Sequence, residues 1–330
     1  MSAGLAADGS ATGLDLGLDD AQQALHDAVA QLCRERCGND VVRALAGSFP
    51  HEPWRALAEL GVLGIGTPEG EGGALELVAA CEALGRAVFP GPLVATVLAV
   101  RLLPEAERRR VASGESVACV ATPPELPWGP HAGVFVEIDA GAERAWLARP
   151  AGAIAPVATL GGEPWGRGAL SRGPELPGLA GALAWADVTR AAYLAAAGRR
   201  LVDDAAEHAR TRRQFGRAIG EFQAVAHPLA DAAIALDGAA ILARAAAWRM
   251  DSPGAGAQES VAWAAAARLS ATRAALGAAH AGHQVFGAVG ITVEGPAFHV
   301  SRAIRQKASL PPSDRRARSA ILATFTEAPT

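Results

Sequence analysis

At 330 residues and a formal net charge of −4, the chain is long enough to bury a large core, shared between two or three lobes. Half of its residues are hydrophobic but only 5% are aromatic, and alanine dominates, which favours closely packed helices over sheets. The charge balance leaves no basic footprint for nucleic acid, no apolar run of about eighteen residues stands out as a membrane span, and four cysteines make no disulfide framework.

Taken in order, residues 1–15 read as a flexible leader, because "MSAGLAADGSATG" lacks a basic stretch followed by an apolar one. That points to a cytoplasmic protein. Residues 16–115 read as a helical domain. Ala21, Leu25, Ala28, Val29 and Leu32 fall at i, i+4, i+7, i+8 and i+11, one stripe of an amphipathic helix. A short helix follows from Pro53 to Leu60, with Pro at its start and Gly61 beyond its end. The glycines of "GVLGIGTPEGEGG" form no dinucleotide fingerprint, since no strand precedes them. Two more helices are expected, from Ala74 to Val88 and from Leu93 to Leu103, on either side of Pro90-Gly91-Pro92.

Over residues 116–180 the period changes. Val117–Ala121, Val134–Ile138 and Ala145–Ala148 are short β-prone runs between Gly and Pro clusters, so a small antiparallel sheet domain is predicted here. Residues 181–330 return to helix, with segments near Leu183–Ala209, Glu221–Met250, Glu259–Val285 and Ala297–Lys307, the pattern of an antiparallel bundle. Pro228 kinks the second of these or marks its first turn. The fold class is therefore mostly α with a small β domain.

Chemistry concentrates at the first bundle connection, Arg210-Thr211-Arg212-Arg213-Gln214-Phe215-Gly216-Arg217, where arginines crowd a Gly-bounded turn. Guanidinium forks held on a turn suit phosphate oxygens, although a solvated Arg-rich loop has the same composition. Cys33 and Cys37 share a helix face, and His280 and His283 are three apart, but neither pair has companions that complete a metal site. His227 reads as a packed or capping residue.

The run "RTRRQFGRAIGEFQAVAHPLAD" resembles the acyl-CoA dehydrogenase signature R-x-Q-F-G-x-x-I-x-x-F-Q followed by H-x-L-A-D. Trp54, Leu57, Glu59, Gly61, Pro68, Glu69, Gly72 and Gly73 fall on the same family's W-x-x-L-A-E-L-G-L-L-G-x-x-x-P-E-x-x-G-G. The resemblance runs from about Leu16 onward. It implies an N-terminal helical domain, a reduced middle β-domain, and a C-terminal four-helix bundle that dimerises. It implies FAD, with Arg212 on the pyrophosphate and Gln214, Phe215 and Ile219 along the dinucleotide held by a second subunit. Gln284 and Gly287, in "QVFG", resemble the family's Q-x-x-G on the adenosine side; a plain helix C-terminal turn would read the same way.

In the family a carboxylate removes an α-proton from an acyl thioester while flavin accepts the β-hydride. Its usual Glu, in an E-G-T segment, falls at Ser309 to Pro312 in "RQKASLPPSDRRARSAI", where no acid stands. A second family position for the base lies within a residue of Asp187, which is the candidate here; a helix-capping role is its alternative, and Glu294 is a third acid of structural character. The family's G-S-D loop and W-I-T/S strand have no counterpart, and Trp146 lies in "RAWLARP". The resemblance therefore implies one subunit of a hetero-oligomer whose homologous partner supplies the base. The alternatives are a homo-oligomer (dimer or tetramer) acting on a carrier-protein-bound acyl group, and a scaffold without flavin. Acyl-CoA or an acyl-carrier-protein thioester is the implied substrate, and an electron-transfer flavoprotein the implied acceptor.

Overall fold

A computed structural model describes residues 16–37, 48–139, 143–311 and 314–325. The leader and Pro312 lie outside the described residues.

The first helix, α1 (Asp20–Arg36), opens on a reciprocal cap: Gln22 N–H donates to Asp19 Oδ1 at 2.8 Å, and Asp19 N–H to Gln22 Oε1 at 3.2 Å. Its buried face is not the alanine-bearing stripe read from sequence. Ala21 and Ala28 are exposed, whereas Gln22, Val29, Leu32 and Cys33 are buried. The reason is polar: Gln22 Nε2 donates to Glu76 Oε1 at 3.1 Å on the helix Ala74–Ala87, which turns α1 toward that helix. Helices α2 (His51–Glu59), α3 (Ala74–Ala87), α4 (Leu93–Leu102) and α5 (Glu105–Ala112) complete this part. The Asp251 carboxylate accepts from Ala74 N–H at 2.8 Å and Leu75 N–H at 2.9 Å, capping α3 from 177 residues away.

The middle region holds two sheets rather than one. Strands β1 (Ala118–Ala121), β3 (Val134–Asp139), β4 (Arg144–Pro150) and β7 (Leu170–Leu176) form the first, in the order β1-β3-β4-β7. Strands β2 (Glu125–Leu126), β5 (Ala155–Val157) and β6 (Trp165–Arg167) form the second, in the order β2-β6-β5. The expectation of a purely antiparallel sheet is corrected by β1, which runs parallel to β3 with Ala118 opposite Val134. The connection over 122–133 has the length of a crossover, so the chain can return in the same direction. Trp146 is buried on β4, with the Arg172 guanidinium carbon 3.8 Å from its ring centroid.

Three long helices make the C-terminal half: α6 (Leu179–Thr211), α7 (Gln223–Asp251) and α8 (Ala257–Phe286), joined by short connections and hence antiparallel neighbours. Helix α9 (Pro296–Ala308) packs on α6 and α8, and α10 (Asp314–Phe325), unforeseen from sequence, packs on α8. Alanines and glycines let these helices approach closely. A Cβ on Gly85 of α3 would sit 2.2 Å from the Tyr193 carbonyl oxygen of α6, so only hydrogen fits there. By length and composition α7 could cross a membrane, contrary to the sequence expectation, yet one face of it packs in the bundle against α6 and α8.

Candidate cofactor and acyl site

The arginine turn is a hairpin. Strands β8 (Arg213–Gln214) and β9 (Arg217–Ala218) flank Phe215 and Gly216, whose φ values of 52° and 83° make both central residues left-handed. Glycine adopts that region freely; phenylalanine does so under strain. Phe215 is also 91% exposed, and among the described residues its ring meets Phe222 edge-on at 6.1 Å, little burial to offset that conformation. Arg212 N–H donates to His208 O at 2.9 Å and ends α6, and Arg212 O accepts from Ile219 N–H at 2.8 Å. The backbone thus clamps the turn while the Arg212 side chain points to solvent. No acid among the described residues is within ion-pair distance of it. Gln214 Nε2 donates to Arg213 O at 2.8 Å, and Ile219 is half-buried where a short 3₁₀ turn begins.

Gln284 and Gly287 end α8, both exposed, with Gly287 at φ 59° and open space where a Cβ would stand. The two motifs, some seventy residues apart in sequence, share one end of the bundle. His208, in the last turn of α6, lies 5.0 Å from Phe286, in the last turn of α8, centroid to centroid. Val289, Ile291 and Val293 are exposed in the turn that follows. This end therefore presents guanidinium groups beside an uncovered apolar rim. His283 faces inward, its Nε2 2.9 Å from Ser301 Oγ, and burial, Arg305 and His280 lower its pKa. His227, His280 and Glu294 are exposed.

Both base positions meet elsewhere, where the N-terminal helices, the sheets and α6 converge. Arg190 on α6 donates from Nη1 to Leu310 O and from Nη2 to Pro311 O, each at 2.7 Å, pinning the loop on which the family's Glu would stand. One turn earlier, Asp187 is 1% exposed with Oδ1 3.0 Å from Nε of an equally buried Arg268. The pair is close but misaligned for a hydrogen bond; its attraction is Coulombic. Arg316 Nη1 stands 4.0 Å from the other carboxylate oxygen, and Arg268 Nη1 is 2.9 Å from Asp314 Oδ1. Burial pushes the Asp187 carboxyl up, against Arg268, Arg190 and Arg316. This is an interior ion cluster. It departs from the expectation of a base facing substrate, because neither carboxylate oxygen is accessible.

The junction itself is closed. Between Arg190, Leu310, Pro311, Ala186, Trp128 and Val120 remain about 30 Å³, room for a water or two. Trp128, which sequence reading passed over, forms part of this wall: it is buried, and left-handed at φ 60°. Its only signal in sequence is a lone Trp in a Pro/Gly turn. A larger cavity of about 530 Å³ opens between α6, α8 and α10, lined by Trp185, Met250, Val261 and Ala320 with Arg316 as its cation. Among the described residues no His, Cys, Asp and Glu cluster could hold a metal.

Comparison with known proteins agrees with this architecture. The acyl-CoA dehydrogenase C-terminal domain profile matches residues 179–310, and the N-terminal domain profile residues 19–104. Acyl-CoA dehydrogenase IpdE2 of Mycobacterium tuberculosis is 32% identical over 295 residues, covering 83% of this chain and 87% of that protein. The chain belongs to the acyl-CoA dehydrogenase family. That family is one of flavoprotein oxidoreductases with FAD as cofactor. Among solved structures, the ChsE4-ChsE5 complex from Mycobacterium tuberculosis superposes with a TM-score of 0.79 at 26% identity, over 96% of this chain and 100% of that one. The FAD complex of PigA superposes with a TM-score of 0.79 at 18% identity, over 95% and 99%, a likeness of fold.

The residues present fit half of an FAD. At the bundle end, exposed guanidinium groups and an open Gly287 suit a diphosphate and its nucleoside. The closed junction does not suit an isoalloxazine, since ligand sites of that class span roughly 300–1,000 Å³.

Proposed function

We propose that this chain is one subunit of an FAD-dependent acyl thioester dehydrogenase built from two homologous, unlike subunits. Its part is to lend the Arg212 hairpin and the Gln284–Gly287 turn to the dinucleotide of a flavin whose ring is held by the partner. The partner also supplies the base. One contrast carries this reading: the nucleotide-facing motifs lie open at one bundle end, while the chain's own base positions hold no accessible carboxylate and enclose almost no space.

When bound, FAD would supply the acceptor for the β-hydride lost as a base removes the α-proton. Within this chain, Arg212 would neutralise diphosphate charge with a forked donor, and Gln214 would offer its amide alongside. Phe215 and Ile219 would exclude water from the dinucleotide. Arg190, Asp187 and Arg268 keep the closed junction rigid and hold no proton in transit. The four cysteines are all free, as in a reducing compartment, which supports a cytoplasmic location. An electron-transfer flavoprotein is the acceptor this reading expects.

Co-expression with its homologous partner tests the proposal. A yellow complex containing both chains, with this chain colourless when purified alone, is the expected outcome. Flavin bound stoichiometrically by this chain alone would refute it. A second reading, a homo-oligomer acting on a carrier-bound acyl group, is favoured by the 530 Å³ cavity, whose largely apolar walls and Arg316, beside Glu143, could take a phosphopantetheine arm. Flavin reduction by substrate with this chain alone, abolished by Asp187→Asn, would select it.

A further inference from the structure

Helix α1 ends on two thiols. Cys33 lies in its last turn, and Cys37 is the capping residue, its N–H donating to Cys33 O at 2.9 Å. A helical i, i+4 pair has Cα atoms about 6 Å apart, inside the range a disulfide spans. Regular helix would still hold the two Cβ atoms too far apart. Cys37 has already left helical geometry, with φ −133° and ψ 33°, so the terminal turn can bring its sulfur in. The neighbouring Cys33 lowers the pKa of the Cys37 thiol, while Cys37 and burial together raise that of Cys33.

Both cysteines, each 4% exposed, line a groove of about 440 Å³ between α1, α3 and α6. Its polar lining is otherwise cationic: Arg34, Arg86 and Arg200, with His26 at the edge, and no carboxylate among the described lining residues. Arg86 reaches Asp203 at 2.9 Å and Arg200 reaches Asp204 at 3.6 Å, and neither aspartate lines the groove. The remaining cysteines stand apart. Cys81 and Cys119 are 0% exposed, and burial pushes their thiols up, Cys119 to about 12.

We propose that Cys33 and Cys37 form a dithiol modification site that exchanges with anionic low-molecular-weight disulfides. The Cys37 thiolate attacks one sulfur of the incoming disulfide; the S–S bond breaks and one thiolate leaves, taking up the proton Cys37 released. Cys33 then loses its proton and attacks Cys37 Sγ, expelling the second thiol. The two cysteines are oxidised to one disulfide, and the reagent is reduced to two thiols. The guanidinium groups select anionic reagents, and the product staples the last turn of α1.

Oxidised glutathione, an anionic disulfide, and cystamine, a cationic one, are the probes, used on the full chain with alkylation of residual thiols and peptide mapping by mass. The expected result is a Cys33–Cys37 disulfide formed about tenfold faster with oxidised glutathione at low salt, the preference shrinking as salt is added. Cys33→Ser should stop at one glutathionyl group on Cys37, and Cys37→Ser should lose the fast reaction. Four alkylatable thiols after exposure, an equal or greater rate with cystamine, or a bond mapped to Cys81 or Cys119 would each overturn the proposal.

Discussion

Arg268 Nε and Asp187 Oδ1 lie 3.0 Å apart with both side chains 1% exposed, an ion pair sealed inside the helical core. Breaking a buried pair can cost about 3–5 kcal/mol, and here Asp314 beside Arg268 and Arg316 beside Asp187 offset part of it, which points to the lower end of that range. Asp187→Ala and Arg268→Met should each lower stability by about 3 kcal/mol in urea titrations. The double variant, with both charges gone, should recover most of the loss. A catalytic Asp187 would instead show lost turnover at nearly wild-type stability.

Arg212 should behave in the opposite way. Its side chain is exposed and unpaired among the described residues, so Arg212→Ala should leave the unfolding midpoint of the isolated chain almost unmoved. In the two-chain complex, losing a charge-assisted contact to diphosphate should weaken FAD retention roughly ten- to hundredfold. Arg212→Lys should rescue it only in part, because an ammonium cannot fork. Equilibrium dialysis against FAD reads both.

Phe215→Asn should separate folding from assembly. Asparagine tolerates φ near 52°, so the isolated chain should gain a few tenths of a kcal/mol up to ~1 kcal/mol. Loss of the exposed ring should at the same time weaken subunit association, read by sedimentation. A variant destabilised alone and unchanged in association would contradict the role given to this residue.

Asp251→Ala should cost about 1 kcal/mol, within 0.5–2, since it uncaps two N–H groups of α3. Hydrogen exchange at Ala74 and Leu75 should accelerate selectively. Gly73→Ala tests the same contact differently, because its Cβ would stand 2.7 Å from Asp251 Oδ1.

His283 gives a pH dependence. Its folded pKa lies below the ordinary 6.5, so the unfolded chain takes up a proton first as pH falls. Stability from this group is therefore full above 6.5 and is lost as pH drops from there toward the folded pKa. His283→Gln should flatten that part of a stability–pH curve measured by urea midpoint. His131, lowered by burial and His51, contributes with the same sign, so the slope should shrink rather than vanish.

The sequence by itself determined the family, the helix–sheet–helix order and the position of the arginine-rich connection, because these reside in local signals. Helical spacing, Gly and Pro punctuation, and the run from Arg210 to Gln223 can be read within short windows. It also showed that no acid occupies residues 309–312. Only the tertiary structure decided that β1 pairs parallel to β3, that α1 buries Gln22 rather than Ala28, and that Trp128 closes a junction of three regions. It alone joined Asp187 to Arg268, 81 residues away, and brought Phe286 to His208. Such facts depend on which charges and rings meet when distant segments pack, and no window of sequence contains both partners.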